Sequence, residues 1–505
     1  MDFLNNFQFL EDLTNSIYLL KPEIVLIITL VVAIFTDVIF KKRPVITGYL
    51  TILGLVISGI FLCCSIANYK GFAFSQMLAI DPFSQFFKLL IVVGVIITTL
   101  MTLGSKELRL GENSIGEYYI LLTGMTLGMF LLTSANNLIV LYLAFETMSI
   151  SSYILTGYTK EIKRSTEASM KYVIYGSLAS GLMIYGMSLI YGLTGTLNLS
   201  TMNFALSFNT NWLTISIAGL MILAGFAYKI SAVPFHFWTP DVYEGAPVAT
   251  TALLSVASKA AGFAVVIRFF AAGFINPANS DSYIWNALPT INWQWVIGIL
   301  SIITMTLGNL VAVWQNNLKR MLAYSSIAHA GYLLMGVMIM TTAGVESIMF
   351  YFITYLLMNF GAFLVVQLVA NEINSEDIND YAGLGYRNPV LAATMTIFLA
   401  SLAGVPPLAG FLGKWYLFNS VIEANQIGIA VIGVLNSVVS LYYYMRVPMY
   451  MYFRKTPDTD PQSPISISKP NLIFLLVITI PVVLLVVKFG PLLELARNSA
   501  QLLIK

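Results

Sequence analysis

Glu146, Lys229, Lys259, His329 and Lys414 are ionisable residues set in long apolar stretches of this 505-residue chain. A charged side chain at the centre of a bilayer costs about 2.5–3.5 kcal/mol on insertion scales, so an ionisable group retained there marks a function by default. The chemistry open to this set is proton transfer. A carboxylate near a buried lysine helps it hold a proton, and withdrawing that carboxylate's influence releases it. On this reading Lys229 is the ammonium and Glu146 the carboxylate.

The remaining buried-looking charges have plainer readings. Lys88, Arg268 and Arg446 fit snorkelling from helix ends. Glu167 and Lys171 stand at i,i+4 spacing, as a structural pair or a functional one. Glu23 and Asp37 bracket the first apolar segment as interfacial or packing groups. His236 reads equally as a hydrogen-bonding structural residue. Two adjacent cysteines, Cys63 and Cys64, are too few for a metal cluster, and two histidines make haem or copper unexpected.

Elements that could hold such groups in place follow from composition. The chain is 58% hydrophobic and 10% charged, against about 25% charged in soluble domains. Its solvent must be lipid, and the net charge of +2 gives no basis for a nucleic-acid partner. Continuous apolar stretches of spanning length number about fourteen: 22–40, 45–67, 83–104, 117–134, 138–158, 168–194, 212–232, 248–272, 294–313, 321–341, 345–371, 390–418, 427–450 and 471–489. The expected fold is an all-α polytopic membrane protein, since barrel strands would alternate with period two. The first 20 residues include Asp2, Glu11 and Asp12, so no cleavable signal is expected.

Basic residues orient these spans. Lys41, Lys42, Arg43, Lys106, Arg109, Lys160, Lys163, Arg164, Lys319, Arg320, Arg387, Arg454, Lys455 and Lys469 fall in loops after odd-numbered spans. Lys21, Lys70, Lys488, Arg497 and Lys505 fall on the other side. The positive-inside rule places the first group in the cytoplasm and both termini opposite.

Two spans carry prolines beside a lysine: Pro234 follows Lys229, and Pro406 and Pro407 precede Lys414. Proline removes a backbone donor. In lipid, such breaks survive only inside protein or along a wet cavity. Paired breaks in two halves are the sequence mark of a transport site. The expected organisation is an N-terminal three-helix segment (1–116), two five-helix repeats (117–272 and 273–450), and a loop with a C-terminal helix (451–505). Five is odd, so the repeats insert in opposite senses.

Four motifs in order, PFHFWTPDVYEGAP after Lys229, SVASKAAGFAVVIR, LKRMLAYSSIAHAGYLLMG and GVPPLAGFLGKWYLF, resemble the antiporter-like membrane subunits of respiratory complex I. DPFSQFF, FETMSISSYILTGY and DYAGLGYRNP fit as well, so the resemblance spans nearly the whole chain. The short tail after Asn471 departs from the family branch with a long lateral helix, and Lys414 from the branch with glutamate there. The resemblance implies redox-driven proton pumping, with Glu146, Lys229, Lys259, His329 and Lys414 matching the family's relay positions: Lys259 and His329, whose unperturbed pKa of about 6.5 suits a relay, would pass protons laterally through water towards Lys414, which would face a second half-channel. It implies that quinone, NADH, FMN and iron–sulfur clusters belong to partner subunits. It also implies neighbouring antiporter-like and small membrane subunits as partners. The implied location is a bacterial inner membrane, with a thylakoid membrane as the alternative. A subunit of a multisubunit cation/proton antiporter shares these motifs. A solute carrier or a membrane scaffold would be readings of other classes.

Overall fold

The computed structural model describes residues 2–41, 43–66, 70–109, 115–209, 211–274, 291–454 and 464–502. Lys42, Lys455 and Lys505 of the basic-loop pattern lie outside the described residues, as does 275–290 near the start of the expected second repeat.

An opening helix, Asp2–Leu19 (α1), is followed by Lys21–Ile39 (α2), Val45–Ser65 (α3) and Pro82–Leu103 (α4). A hairpin of Gly71–Ala73 (β1) and Leu78–Ile80 (β2) precedes α4. Neither α1 nor the hairpin has a hydropathy signal. Five-helix groups then repeat. The first holds Ile115–Ser134 (α5), Leu138–Thr156 (α6) and the 32-residue Lys163–Thr194 (α7). After a short Leu199–Ser207 (α8) come Trp212–Ile230 (α9) and Trp238–Gly245 (α10) across the first break. Val248–Leu253 (α11) runs through a π turn, Leu254–Ser258, into Lys259–Gly273 (α12).

The second group holds Trp293–Ala312 (α13), Leu318–Met338 (α14) and the 32-residue Thr342–Ile373 (α15). A short Leu384–Arg387 (α16) leads to Pro389–Ala403 (α17), Ala409–Glu423 (α18) and Ile427–Phe453 (α19). Lys469–Leu484 (α20) and Gly490–Ser499 (α21) close the described chain. Among the described residues, twelve helices, counting α11 to α12 as one, are long and apolar enough to cross a membrane, and α17 and α20 are shorter apolar helices. Expected span 390–418 is thus two helices, because Gly404 takes the left-handed conformation that ends α17.

The repeat is written in hydrogen bonds. Asn137 and Asn317 cap α6 and α14 with their side chains. Leu138 N donates to Leu197 O at 2.8 Å, and Leu318 N donates to Glu376 O at 2.8 Å. In return Leu199 N reaches Asn136 O at 3.0 Å and Ile378 N reaches Asn316 O at 2.9 Å. Each group therefore ties the start of its second helix to the end of its third. The first helix approaches the second at Gly128 and Gly308. A Cβ there would meet the Met148 and Ala328 backbone nitrogens at 2.7 and 2.6 Å, so only glycine allows that packing.

Two cations expected to snorkel do not. Arg268 is 1% exposed and forks onto Asp81 at 2.8 and 3.0 Å, while its Nε donates to Thr133 O. Asp81 also caps α4 through Ser84. Lys88, 1% exposed, pairs with Glu23 at 2.6 Å, which moves Glu23 from the interface to the interior. These pairs escape a hydropathy reading because each partner comes from a distant helix. Arg446 does follow the helix-end reading, donating to the Val313 and Gln315 carbonyls that follow α13.

Arg268→Ala would leave the Asp81 carboxylate buried without its partner. Breaking such a pair costs about 3–5 kcal/mol. Thermal denaturation in membranes should show a marked loss of stability; a wild-type profile would mean the pair is not what holds α4 against α12.

Candidate proton path

Local folding sets each lysine. Lys229 occupies the last turn of α9, where Ser231 takes a left-handed conformation and ends the helix. Lys259 follows the π turn, and Lys414 lies early in α18, just past the second break. All three are at most 3% exposed, and His329 on α14 is 1% exposed.

Their partners are neutral. Lys229 Nζ donates to Ser149 Oγ at 3.1 Å, with the Phe145 and Tyr172 rings 5.7 and 5.9 Å away. Lys259 Nζ donates to Ser326 O at 2.9 Å. Lys414 Nζ donates to Ala403 O at 2.8 Å, the carbonyl freed where α17 ends, and to Ser437 Oγ at 2.9 Å. It also sits 5.1 Å from the Tyr332 ring. Among the described residues none of the three forms an ion pair within 4.0 Å, whereas Lys88, Arg268 and Lys319 each do.

Glu146 on α6 lies within electrostatic reach of Lys229 without forming an ion pair with it, and its Oε1 is buried with no hydrogen-bond partner among the described residues. The expected pair is therefore open in this conformation, with Ser149 holding the ammonium. His329 shares hydrogen bonds with Tyr351 OH at 2.5 Å and Tyr444 OH at 3.0 Å. It lies within electrostatic reach of both Lys259 and Lys414. The structure thus brings His329 together with Lys259 and Lys414, and Glu146 together with Lys229. His236 is buried beside the Pro234 backbone and stands apart from these contacts.

Sequence reading missed the hydroxyls, since tyrosines and serines in apolar helices look like packing. One signal was available. In the register set by Asn137 with Asn317 and Gly128 with Gly308, Ser149 corresponds to His329 and Glu146 to Ser326.

It also missed the breadth of the Lys171 contacts. Lys171 pairs with Glu167 at 2.9 Å and with Asp241 of α10 at 2.6 Å. Arg320 of α14 reaches Asp241 at 2.7 Å and Glu244 at 2.9 Å. These residues line a cavity of about 200 Å³ with Arg164. α10 is thereby clamped between a helix of each five-helix group. Burial alone would raise the Asp241 carboxyl, but bonds from Lys171 and Arg320 outweigh it and hold it below its ordinary 3.8.

The sequence profile described as "NADH:quinone oxidoreductase/Mrp antiporter, TM" matches residues 135–440. The chain belongs to this family of antiporter-like membrane subunits. Among its relatives, NADH-quinone oxidoreductase subunit N 2 of Chloroherpeton thalassium is 46% identical over 490 residues, covering 95% of this chain and 94% of that one. Subunit N of Chlorobium chlorochromatii is 42% identical, covering 97% and 96%. The chain therefore falls with subunit N of NADH-quinone oxidoreductase. A chain of respiratory complex I from Thermus thermophilus, solved with bound aureothin, superposes with a TM-score of 0.77 at 28% identity, over 94% of this chain and 100% of that one. A chain of the Mrp complex from Dietzia sp. DQ12-45-1b shares the fold, with a TM-score of 0.80 at 19% identity, over 96% of this chain and 97% of that one.

A lowered carboxyl pKa means the clamp's contribution is present above pH 3.8 and lost as pH falls through the still lower folded value. Asp241 is partly exposed, so screening reduces that contribution. At neutral pH, Asp241→Asn should loosen α10, read as faster hydrogen–deuterium exchange over residues 238–245. Unchanged exchange would mean the aromatic packing of Trp238 against Tyr172 holds α10 without the ions.

Proposed function

We propose that this chain translocates protons as subunit N of its NADH-quinone oxidoreductase, with Glu146, Lys229, Lys259, His329 and Lys414 as the relay. One observation carries the reading: three buried lysines are solvated by hydroxyls and carbonyls instead of carboxylates. A lysine locked to a buried carboxylate keeps its proton. A lysine held by neutral oxygens can give it up.

Glu146 acts as the movable charge. Drawn towards Lys229, its carboxylate favours the ammonium; held away, it favours release. Lys259 receives that proton on its amine nitrogen, His329 carries it past Tyr351 and Tyr444, and Lys414 exchanges it with one side. A cavity of about 580 Å³ beside Lys414, lined by Phe411, Trp415, Val434 and Ser437 among others, gives that lysine an open flank. Redox chemistry belongs to partner subunits, which would bind NADH, FMN, iron–sulfur clusters and quinone. The partners are neighbouring antiporter-like and small membrane subunits. The basic loops face the cytoplasm of a bacterial inner membrane, with both termini opposite. The cation/proton antiporter reading shares the fold, but the strong sequence relatives carry the name of the oxidoreductase.

In membranes holding the assembled complex, Lys229→Ala should cut coupled proton pumping by about 10²-fold, the low end of the loss of a proton-transfer group. Pumping at the wild-type rate by an assembled variant would sink this reading. Lys414→Arg should fail as well, because arginine keeps the charge and does not surrender its proton. Full pumping in that variant would reduce Lys414 to a fixed charge.

A further inference from the structure

Three buried hydroxyls beside Lys259 have no assigned work. Tyr243 OH, Ser326 Oγ and Tyr355 OH are each buried and gathered on one another, and none completes a hydrogen bond of good geometry among the described residues. The Tyr243 and Tyr355 hydroxyls both face Ser326 Oγ, yet neither closes a bond to it in strict geometry. A fourth orphan, Asn359 Oδ1, lies one turn along α15 from Tyr355, and its amide donates to Ser255, one turn before Lys259. Buried polar groups are nearly always satisfied by protein or water. Phenylalanine and alanine would fill these places without leaving oxygens unsatisfied.

Placement gives the cluster a direction. Tyr243 belongs to α10, the segment beyond the Lys229 break, and lies within electrostatic reach of Tyr172, whose ring flanks Lys229. Ser326 offers its carbonyl to Lys259 and stands one turn before His329 on α14. The Tyr355 ring lies 4.9 Å from the His329 ring. The hydroxyls therefore bridge the first lysine's surroundings to both Lys259 and His329. Ser326 also occupies the place that Glu146 holds in the first repeat. A neutral hydroxyl there conducts without trapping charge.

We infer that Tyr243, Ser326 and Tyr355 form a hydroxyl relay, bridged by water, that carries protons between the Lys229 break and the Lys259–His329 segment. The inference rests on the proton-translocating reading above. In each step an oxygen lone pair takes an incoming proton as the same oxygen gives up its own. No net charge is left behind, and the last proton arrives on the neutral Lys259 nitrogen.

The test uses the assembled complex in membranes. Tyr243→Phe, Tyr355→Phe and Ser326→Ala each remove one oxygen, and Ser326→Thr keeps it. Each deletion should slow coupled turnover about fivefold or more, the equivalent of one lost hydrogen bond in a transfer step, and should change the solvent deuterium isotope effect. Ser326→Thr should restore both. Electron transfer to an artificial acceptor confirms assembly. Ser326→Ala keeps the carbonyl that holds Lys259, so a merely structural role leaves it at the wild-type rate and isotope effect. That result, or normal behaviour of both phenylalanine variants, would overturn the relay. If Lys229→Ala still abolishes pumping in the same membranes, the relay fails and the wider reading stands. If Lys229→Ala also pumps normally, both fall.

Discussion

A cation buried inside this protein must find oxygen, and the kind of oxygen decides what it can do. Lys88, Arg268 and Lys319 find carboxylates. The charge is cancelled, the proton is fixed, and helices are pinned. Lys229, Lys259 and Lys414 find a serine hydroxyl, a helix carbonyl, and a broken-helix carbonyl with a serine. Such ligands solvate the cation without neutralising it, so its charge stays negotiable. Much of the architecture supplies those ligands. The α17 break frees Ala403 O, and the close helix contacts at Gly128 and Gly308 bring α6 and α14 tight against their neighbours.

That distinction limited what the sequence could reveal. A charge in an apolar stretch is conspicuous, and Glu146, Lys229, Lys259 and Lys414 are legible for that reason, whereas His329 is singled out only by the family motif around it. Whether a lysine is paired depends on helices far apart in the chain. Glu23 meets Lys88 and Asp81 meets Arg268 only after folding, and so the latter cations read as snorkelling. The helix count follows from apolar length, and α17 and α18 hide as one span because the intervening Gly404 and prolines sit among apolar neighbours. Helix α1 and the β1–β2 hairpin leave no hydropathy trace.

The aromatic and hydroxyl residues between the lysines are the least legible part. Tyr243, Tyr351, Tyr355 and Tyr444 have the composition of ordinary packing, and their roles follow from which oxygen meets which. Asp241 is similar. Its motif suggests a turn after a break, while its position between Lys171 and Arg320 makes α10 a strut joining two halves.

The paired Asn137 and Asn317 caps give the two halves a common frame, but the side chains mounted on it differ. Where one half presents Glu146 and Ser149, the other presents Ser326 and His329. One half thus holds a carboxylate, and the other an imidazole set among phenols. The scaffold is the same read from either end, and its furnishing is not. The two halves are therefore not interchangeable: the shared caps fix the backbone frame, and the electrostatics of each half is set by the side chains it carries.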